Sequence, residues 1–243
     1  MWRGLTAAQV LSIWDRAPVD PVDRALLLLR AGAPALTPEA CETLPLGARD
    51  RALIAIRRAT LGPRLEASVT CPACGGALEF PLDTDVLSPD GSDGGERPIT
   101  VAAEGIALTL RAPTSRDLMQ AAGRDLAAIE AALLEACVIS ADKDGRAIAA
   151  ADLPAPVRAA AAEAIIGQEP LTEVLLDLVC PDCGHGWPMP FDIAAFFFDE
   201  IGQHARRLIG EVAVLARRFG WSEQDILAMS PARRQAYLML EGP

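Results

Sequence analysis

The sequence predicts an α+β protein, with helices at both ends and two short β-hairpins separated by a long mixed insertion. Three observations carry this expectation. Two turns share one pattern, Cys71-Pro72-Ala73-Cys74-Gly75 and Cys180-Pro181-Asp182-Cys183-Gly184, and each sits between short apolar runs, as a β-hairpin does. Residues 1–62 read as helical throughout. Near the other end, Ile201, Ala205, Leu208, Val212, Leu215 and Phe219 recur at spacings of 4, 3, 4, 3 and 4, a continuous apolar stripe along one helix face.

The helical start divides into four pieces. Thr6-Ala7-Ala8-Gln9 has the form of a capping box before Val10, Leu11, Ile13 and Trp14. Asp20-Pro21 starts a second helix that Gly32 and Pro34 stop, and Thr37-Pro38 starts a short third. Leu46-Gly47-Ala48-Arg49-Asp50 leads into a fourth, with Leu53, Ile54 and Ile56 on its apolar face. The first cysteine turn follows, flanked by Leu65–Thr70 and Ala77–Leu82. Residues 88–95, rich in Gly, Ser and Asp, then break the pattern and read as a mobile loop. No Gly-Lys-Ser/Thr follows them, so they are not a phosphate loop.

Ile99–Val101 and Ile106–Leu110 read as a hairpin about Glu104-Gly105, and Thr114 or Ser115 caps a helix that continues, past a weak interruption at Gly123, to Leu134. A turn at Asp142–Gly145 precedes a helix from Val157 to Ile166. The second cysteine turn lies between Val174–Val179 and Gly186–Asp192. Gly220 ends the long amphipathic helix, and Ser222 and Ser230-Pro231 start two short final ones. The expected units are therefore residues 1–62, 63–83, 84–171, 172–192 and 193–243.

Four thiolates in two Cys-x-x-Cys pairs are the donor set of a tetrahedral structural zinc site, so Cys71, Cys74, Cys180 and Cys183 are the expected ligands. Proline fixes φ in each turn, and glycine permits the left-handed backbone that aims amides at the sulfurs. The 105 residues between Cys74 and Cys180 then form an insertion into a zinc-ribbon-like pair of hairpins. Closing a loop of that length costs about 4–5 kcal/mol on the chain-entropy estimate, against an apparent ~10–16 kcal/mol for structural zinc. A thiol oxidoreductase is the less favoured reading, because a reactive Cys-x-x-Cys needs a helix after it and these turns lead into strand-like sequence. A disulfide scaffold does not suit a chain of this size without a secretory leader. A catalytic zinc needs an open position and a base, and the only histidines are His185 and His204. His185 reads as a ring beside the ligands or in solvent, and His204 as a surface residue. Cys41 and Cys137 lie in helical apolar segments and read as buried small hydrophobes.

Half of the 243 residues are hydrophobic, yet no run approaches the ~20 apolar residues of a membrane span. With no charged-then-apolar leader, a cytoplasmic site of synthesis is expected. The net charge of −11 argues against phosphate-dominated nucleic-acid binding, which rests on clustered cations. A zinc-ribbon nucleic-acid or transcription accessory protein stays open through the arginine pairs at 206–207, 217–218 and 233–234, although interleaved Glu211, Glu223 and Asp225 favour a solvated helix face.

Several blocks together resemble the T4-type baseplate hub assembly chaperone family of contractile phage tails and phage-like contractile injection systems. They are Leu46–Ile54, Leu65–Cys74, Leu110-Arg111-Ala112-Pro113-Thr114-Ser115-Arg116-Asp117-Leu118, Leu176–His185 with Pro190–Ile193, Leu215–Glu223 and Ile226–Leu238. The resemblance spans nearly the whole chain. It implies a non-enzymatic assembly factor or structural adaptor of the baseplate hub, with hub, spike or other tail proteins as partners. It leaves open whether the protein stays cytoplasmic or is incorporated in the particle. The expected partner surface is the C-terminal segment, with Arg217, Arg218, Trp221, Arg233, Arg234 and Tyr237 as anchors, since aromatics and arginines dominate interfaces. The competing reading packs Trp221 under the turn after Gly220 and leaves the arginines solvated.

Overall fold

The computed structural model describes residues 2–87, 98–168, 171 and 174–240. Four helices open the chain, α1 (Ala7–Arg16), α2 (Pro21–Gly32), α3 (Pro38–Thr43) and α4 (Leu46–Leu61). Their starts are where the sequence places them. Thr6 accepts from the Gln9 amide while the Gln9 side chain accepts from the Thr6 amide, and Asp20 and Thr37 cap α2 and α3. The expected α+β class holds.

Two antiparallel hairpins carry the cysteine turns. β1 (Arg64–Thr70) pairs with β2 (Ala77–Asp83) so that Thr70 faces Ala77, and β7 (Leu175–Val179) pairs with β8 (Gly186–Pro190) so that Val179 faces Gly186. A one-turn helix, α5 (Thr84–Leu87), follows β2. The loop expected at 88–95 lies outside the described residues.

Between the hairpins lies a four-stranded antiparallel sheet, β3 (Ile99–Ala103), β4 (Ile106–Leu110), β5 (Val138–Lys143) and β6 (Arg146–Ala147), in sequence order. One face of it, with Ile99, Ile106, Leu108, Leu110 and Ala141, packs on Val157, Ala161 and Ile165 of α8 (Ala155–Gln168). The single helix expected after Thr114 is two, α6 (Ser115–Ala121) and α7 (Leu126–Cys137). Gly123 takes φ +79°, and Asp125 caps the second helix on the Ala128 amide. Strand β5 was not expected, because it follows α7 directly with no turn residue to announce it.

The stripe helix is longer than expected. α9 runs from Ile193 to Phe219, taking in the Phe196–Phe198 run, and ends at Gly220 with φ +70°. Its stripe turns inward: Ile201, Ala205, Leu208 and Leu215 are buried, with Val212 and Phe219 partly so. The N-terminal part of that stripe joins Val10 and Ile13 of α1, Leu26 and Leu29 of α2 and Leu53 and Ile56 of α4 in one core, so the two ends of the chain make a single helical body. Arg57 of α4 is buried within it and forms a bidentate pair with Glu200 at 2.6 and 2.8 Å. Two short helices, α10 (Glu223–Ala228) and α11 (Pro231–Met239), fold back on the second half of α9. His204 is half-buried rather than on the surface; desolvation, then Arg207, hold its pKa below the ordinary histidine range.

The insertion is tied to this body through the start of α6. The Leu46 amide donates to Pro113 O at 2.8 Å, and Arg116 lies 3.3 Å from Glu42. Arg49 donates to Ser115 Oγ at 3.2 Å. These contacts join segments that lie more than 60 residues apart in the chain.

Candidate metal centre

Each cysteine turn closes through the same two backbone bonds. The Gly75 amide donates to Cys71 O and the Cys71 amide to Gly76 O, at 2.9 and 2.8 Å. In the second turn the Gly184 amide donates to Cys180 O and the Cys180 amide to His185 O, both at 2.9 Å. Gly75 and Gly184 sit at φ +75° and +73°, a left-handed conformation that costs a residue with a Cβ about 1–2 kcal/mol. The pattern seen in the sequence is thus one turn geometry used twice.

The two turns meet tip to tip. Cys71 Sγ lies 3.8 Å from Cys183 Sγ and Cys74 Sγ 3.6 Å from Cys180 Sγ, and all four sulfurs fall within 4.8 Å of one another. Both of these close approaches are between turns. A Cβ on Gly76 would start 2.6 Å from Oδ2 of Asp182, so the acid of the second turn lies directly over the first. A regular tetrahedron with metal–sulfur bonds of about 2.3 Å has edges of about 3.8 Å, and the observed separations match two such edges. Cys71 and Cys180 are buried, whereas Cys74 and Cys183 are exposed. All four are free thiols.

Proton affinities within the cluster diverge. Desolvation opposes ionisation of Cys71, but the amides of Cys74 and Ala73 and the thiols of Cys74 and Cys180 favour its thiolate and bring it down to about 7. Cys74 moves the other way, to about 12: the Gly76 amide favours its thiolate, but sharing hydrogen bonds with Cys183, Cys180 and Cys71 and desolvation outweigh that amide. Cys183 is raised as well, the His185 amide and Cys74 being outweighed by desolvation, Cys180 and Cys71. Four sulfurs this close cannot ionise together without a cation among them, so the set is a possible metal site.

The other thiols lack this setting. Burial raises Cys41, and it pushes Cys137 up to about 11. Cys137 lies at one end of a depression of about 590 Å³ between α7 and α8, lined mainly by alanine, leucine and isoleucine. His185 is exposed and stacks on Trp187, with ring centroids 5.9 Å apart.

The residues expected to meet a partner gather where α9, α10 and α11 converge. Trp221 stacks on Phe219 at 4.5 Å, and Tyr237 meets both rings edge-on, at 4.8 and 5.7 Å. Arg218 covers the Phe219 ring at 5.3 Å and Arg233 the Tyr237 ring at 5.7 Å. Phe219 thus belongs to this cluster; its place in the apolar stripe concealed that, although its spacing from Trp221 is the signal for it. Arg217 and Arg233 are exposed, and Arg218, Trp221 and Tyr237 are half-buried.

Arg234 departs from expectation. It is only 2% exposed, pairs with Glu211 at 2.7 Å and donates to Met229 O, so it clamps α11 to α9 and presents nothing to a partner. A surface arginine and a buried one look alike in the dipeptide Arg233-Arg234. The helix turn of about 100° per residue points one outward and the other inward.

Among the described residues no helix is long and apolar enough to cross a membrane. No curated protein and no solved structure matches the chain. A family model does match it, over residues 35–198, a stretch containing both cysteine turns and the whole insertion between them. A match over that much of the chain shows that the protein belongs to the T4 bacteriophage base plate protein family.

Proposed function

We propose that this protein is a non-enzymatic assembly factor or structural adaptor of the baseplate hub in a contractile tail or injection system, stapled by one structural zinc. The observation that carries the reading is the family match across both cysteine turns. The sulfur cluster supports the metal: four thiols at tetrahedral spacing, with no histidine or carboxylate among them, are a closed zinc set. Within this reading Cys71, Cys74, Cys180 and Cys183 hold the ion. It joins the hairpin units 63–83 and 172–192 and so fixes both ends of the 84–171 insertion relative to the helical units 1–62 and 193–243.

The partners are hub, spike or other tail proteins, engaged through Arg217, Arg218, Trp221, Arg233 and Tyr237. Catalysis has no support in the apolar depression between α7 and α8, where the one thiol is held protonated. Point variants test the surface better than truncation, because α10 and α11 pack against α9 and Ile226 is fully buried. Trp221→Ala combined with Arg217→Glu should abolish contractile-particle assembly in a complementation assay read by electron microscopy. The purified variant should keep wild-type metal content and stay folded, with only a modest drop in thermal midpoint from the lost Trp221 ring contacts. Normal particles from that variant would move the contact surface elsewhere, and normal particles from a strain lacking the gene would remove the assembly role.

A further inference from the structure

The second half of α9 has a face that nothing among the described residues covers. Ile209 and Val214 are 43% and 51% exposed, a Cβ on Gly210 would meet open space, and Ala213, Val214, Arg217 and Arg218 line an open depression of about 450 Å³. At helical spacing, Arg206 precedes this apolar strip and Arg217 follows it, and the Phe219–Trp221–Tyr237 cluster stands just beyond.

Charge says what suits it. Between residues 201 and 240 six arginines face three carboxylates, a net charge of +3, while the rest of the chain carries −14. One of those carboxylates, Glu211, is already held by Arg234. Among the described residues no carboxylate pairs with Arg206, Arg207, Arg217, Arg218 or Arg233. An acidic protein with five such arginines near one exposed apolar strip has a local field there for an anionic partner.

We propose that this face, extending the partner surface above, docks an acidic amphipathic helix of a partner protein: apolar side chains at helical spacing on the Ile209–Val214 strip, carboxylates on the flanking arginines. Nucleic acid is the poorer fit. A phosphate backbone has no use for the apolar strip, and the Phe219 ring is already engaged by Trp221 and Arg218. The proposal rests on the partner-surface reading but is separable from the baseplate role.

The test uses the full chain and a labelled helix-forming peptide of about 18 residues, about five turns, with Leu on one face and Glu on its flanks. A matched peptide with Lys for Glu and a duplex DNA of similar length are the other two probes. Fluorescence anisotropy at roughly 150 mM salt should show binding of the acidic peptide alone. Val214→Asp and Arg217→Glu should each weaken it by about tenfold or more, with thermal midpoints unchanged. Preference for the lysine peptide or for DNA, indifference to Val214→Asp, or no binding of the acidic peptide would each overturn the proposal. If the peptide behaves as expected but both variants still build normal particles, the docking chemistry stands and the baseplate role of this face falls.

Discussion

Single side chains decide two separate matters here, whether the sulfur cluster holds an ion and how the insertion is anchored. On the zinc reading proposed above, Cys180→Ser removes a buried thiol from a cluster of four that has no fifth donor among the described residues. We predict loss of stoichiometric zinc by elemental analysis and a lower thermal midpoint, because metal binding and folding are one equilibrium in such sites. A variant that keeps both zinc and wild-type midpoint would disprove the structural role. At the other anchor, Asp117 accepts two hydrogen bonds from Arg111, at 2.7 and 2.8 Å, and closes the capping box of α6 with Thr114. Desolvation works against its ionised form, but Arg111 and Thr114 prevail and hold its pKa below the ordinary carboxylate range. A depressed folded pKa contributes stability above the unfolded value of about 3.9, and that contribution is lost as pH falls through the folded value. Asp117→Asn should therefore cost about 2–3 kcal/mol at neutral pH. The gap from wild type in urea unfolding should narrow towards pH 3, and a gap that stays constant would show that charge is not the cause.

At the scale of elements, helix contacts override local propensity. Gly32 ends α2 where a Cβ would lie 2.5–2.6 Å from three side-chain atoms of Ile56, which is fully buried in α4. Alanine there would gain about 1 kcal/mol of intrinsic helix preference. It would also overpack the α2–α4 crossing, typically by about 1–3 kcal/mol, and a β-branched neighbour has few rotamers to retreat into. We expect Gly32→Ala to lower the thermal midpoint, and an unchanged or raised midpoint would mean that the helices separate freely. The hairpins show a different dependence. Their strands are exposed on alternate residues, with Leu175 and Val179 open to solvent, and only Leu65, Ala67 and Leu178 are buried on them. A lone two-stranded hairpin is marginal in water, so each depends on the junction of the two tips together with the few side chains, among them Leu65, Leu82 and Leu176, that reach the helical core.

For the whole molecule, these differences set an order of loss. The helical body and the sheet with α8 have separate cores, whereas the hairpins reach the helical core through only a few side chains, such as Leu65, and otherwise lean on the sulfur cluster. Chelation should lower hydrogen-exchange protection first in β1, β2, β7 and β8, while the amides of α2, α4 and the buried part of α9 keep theirs. Uniform loss across all elements would mean that the body and the hairpins form one cooperative unit and that the ion stabilises both equally. Net charge acts at this scale as well, since an acidic chain with a cationic stretch at residues 201–240 is oriented by its field before any contact forms.

Local chemistry made much of this legible from the residues alone. Capping boxes, Pro at helix starts, the left-handed glycines at 75, 184 and 220 and the cysteine pairing all act within five or six residues, where the chain's own sterics and hydrogen bonds fix the outcome. The α+β class and the two matching cysteine turns follow from signals of that range, while their meeting across more than 100 residues is a tertiary contact. Strand β5 has no such signal: Val138–Lys143 becomes a strand because β4 offers it an edge, and no turn residue marks the passage from α7. Likewise nothing local separates Arg233 from Arg234, or shows that the Phe196–Phe198 run extends the stripe helix. Those outcomes depend on which side of a helix meets Glu211, and on a core shared between the two ends of the chain, and so on partners distant in sequence that only the tertiary structure brings together.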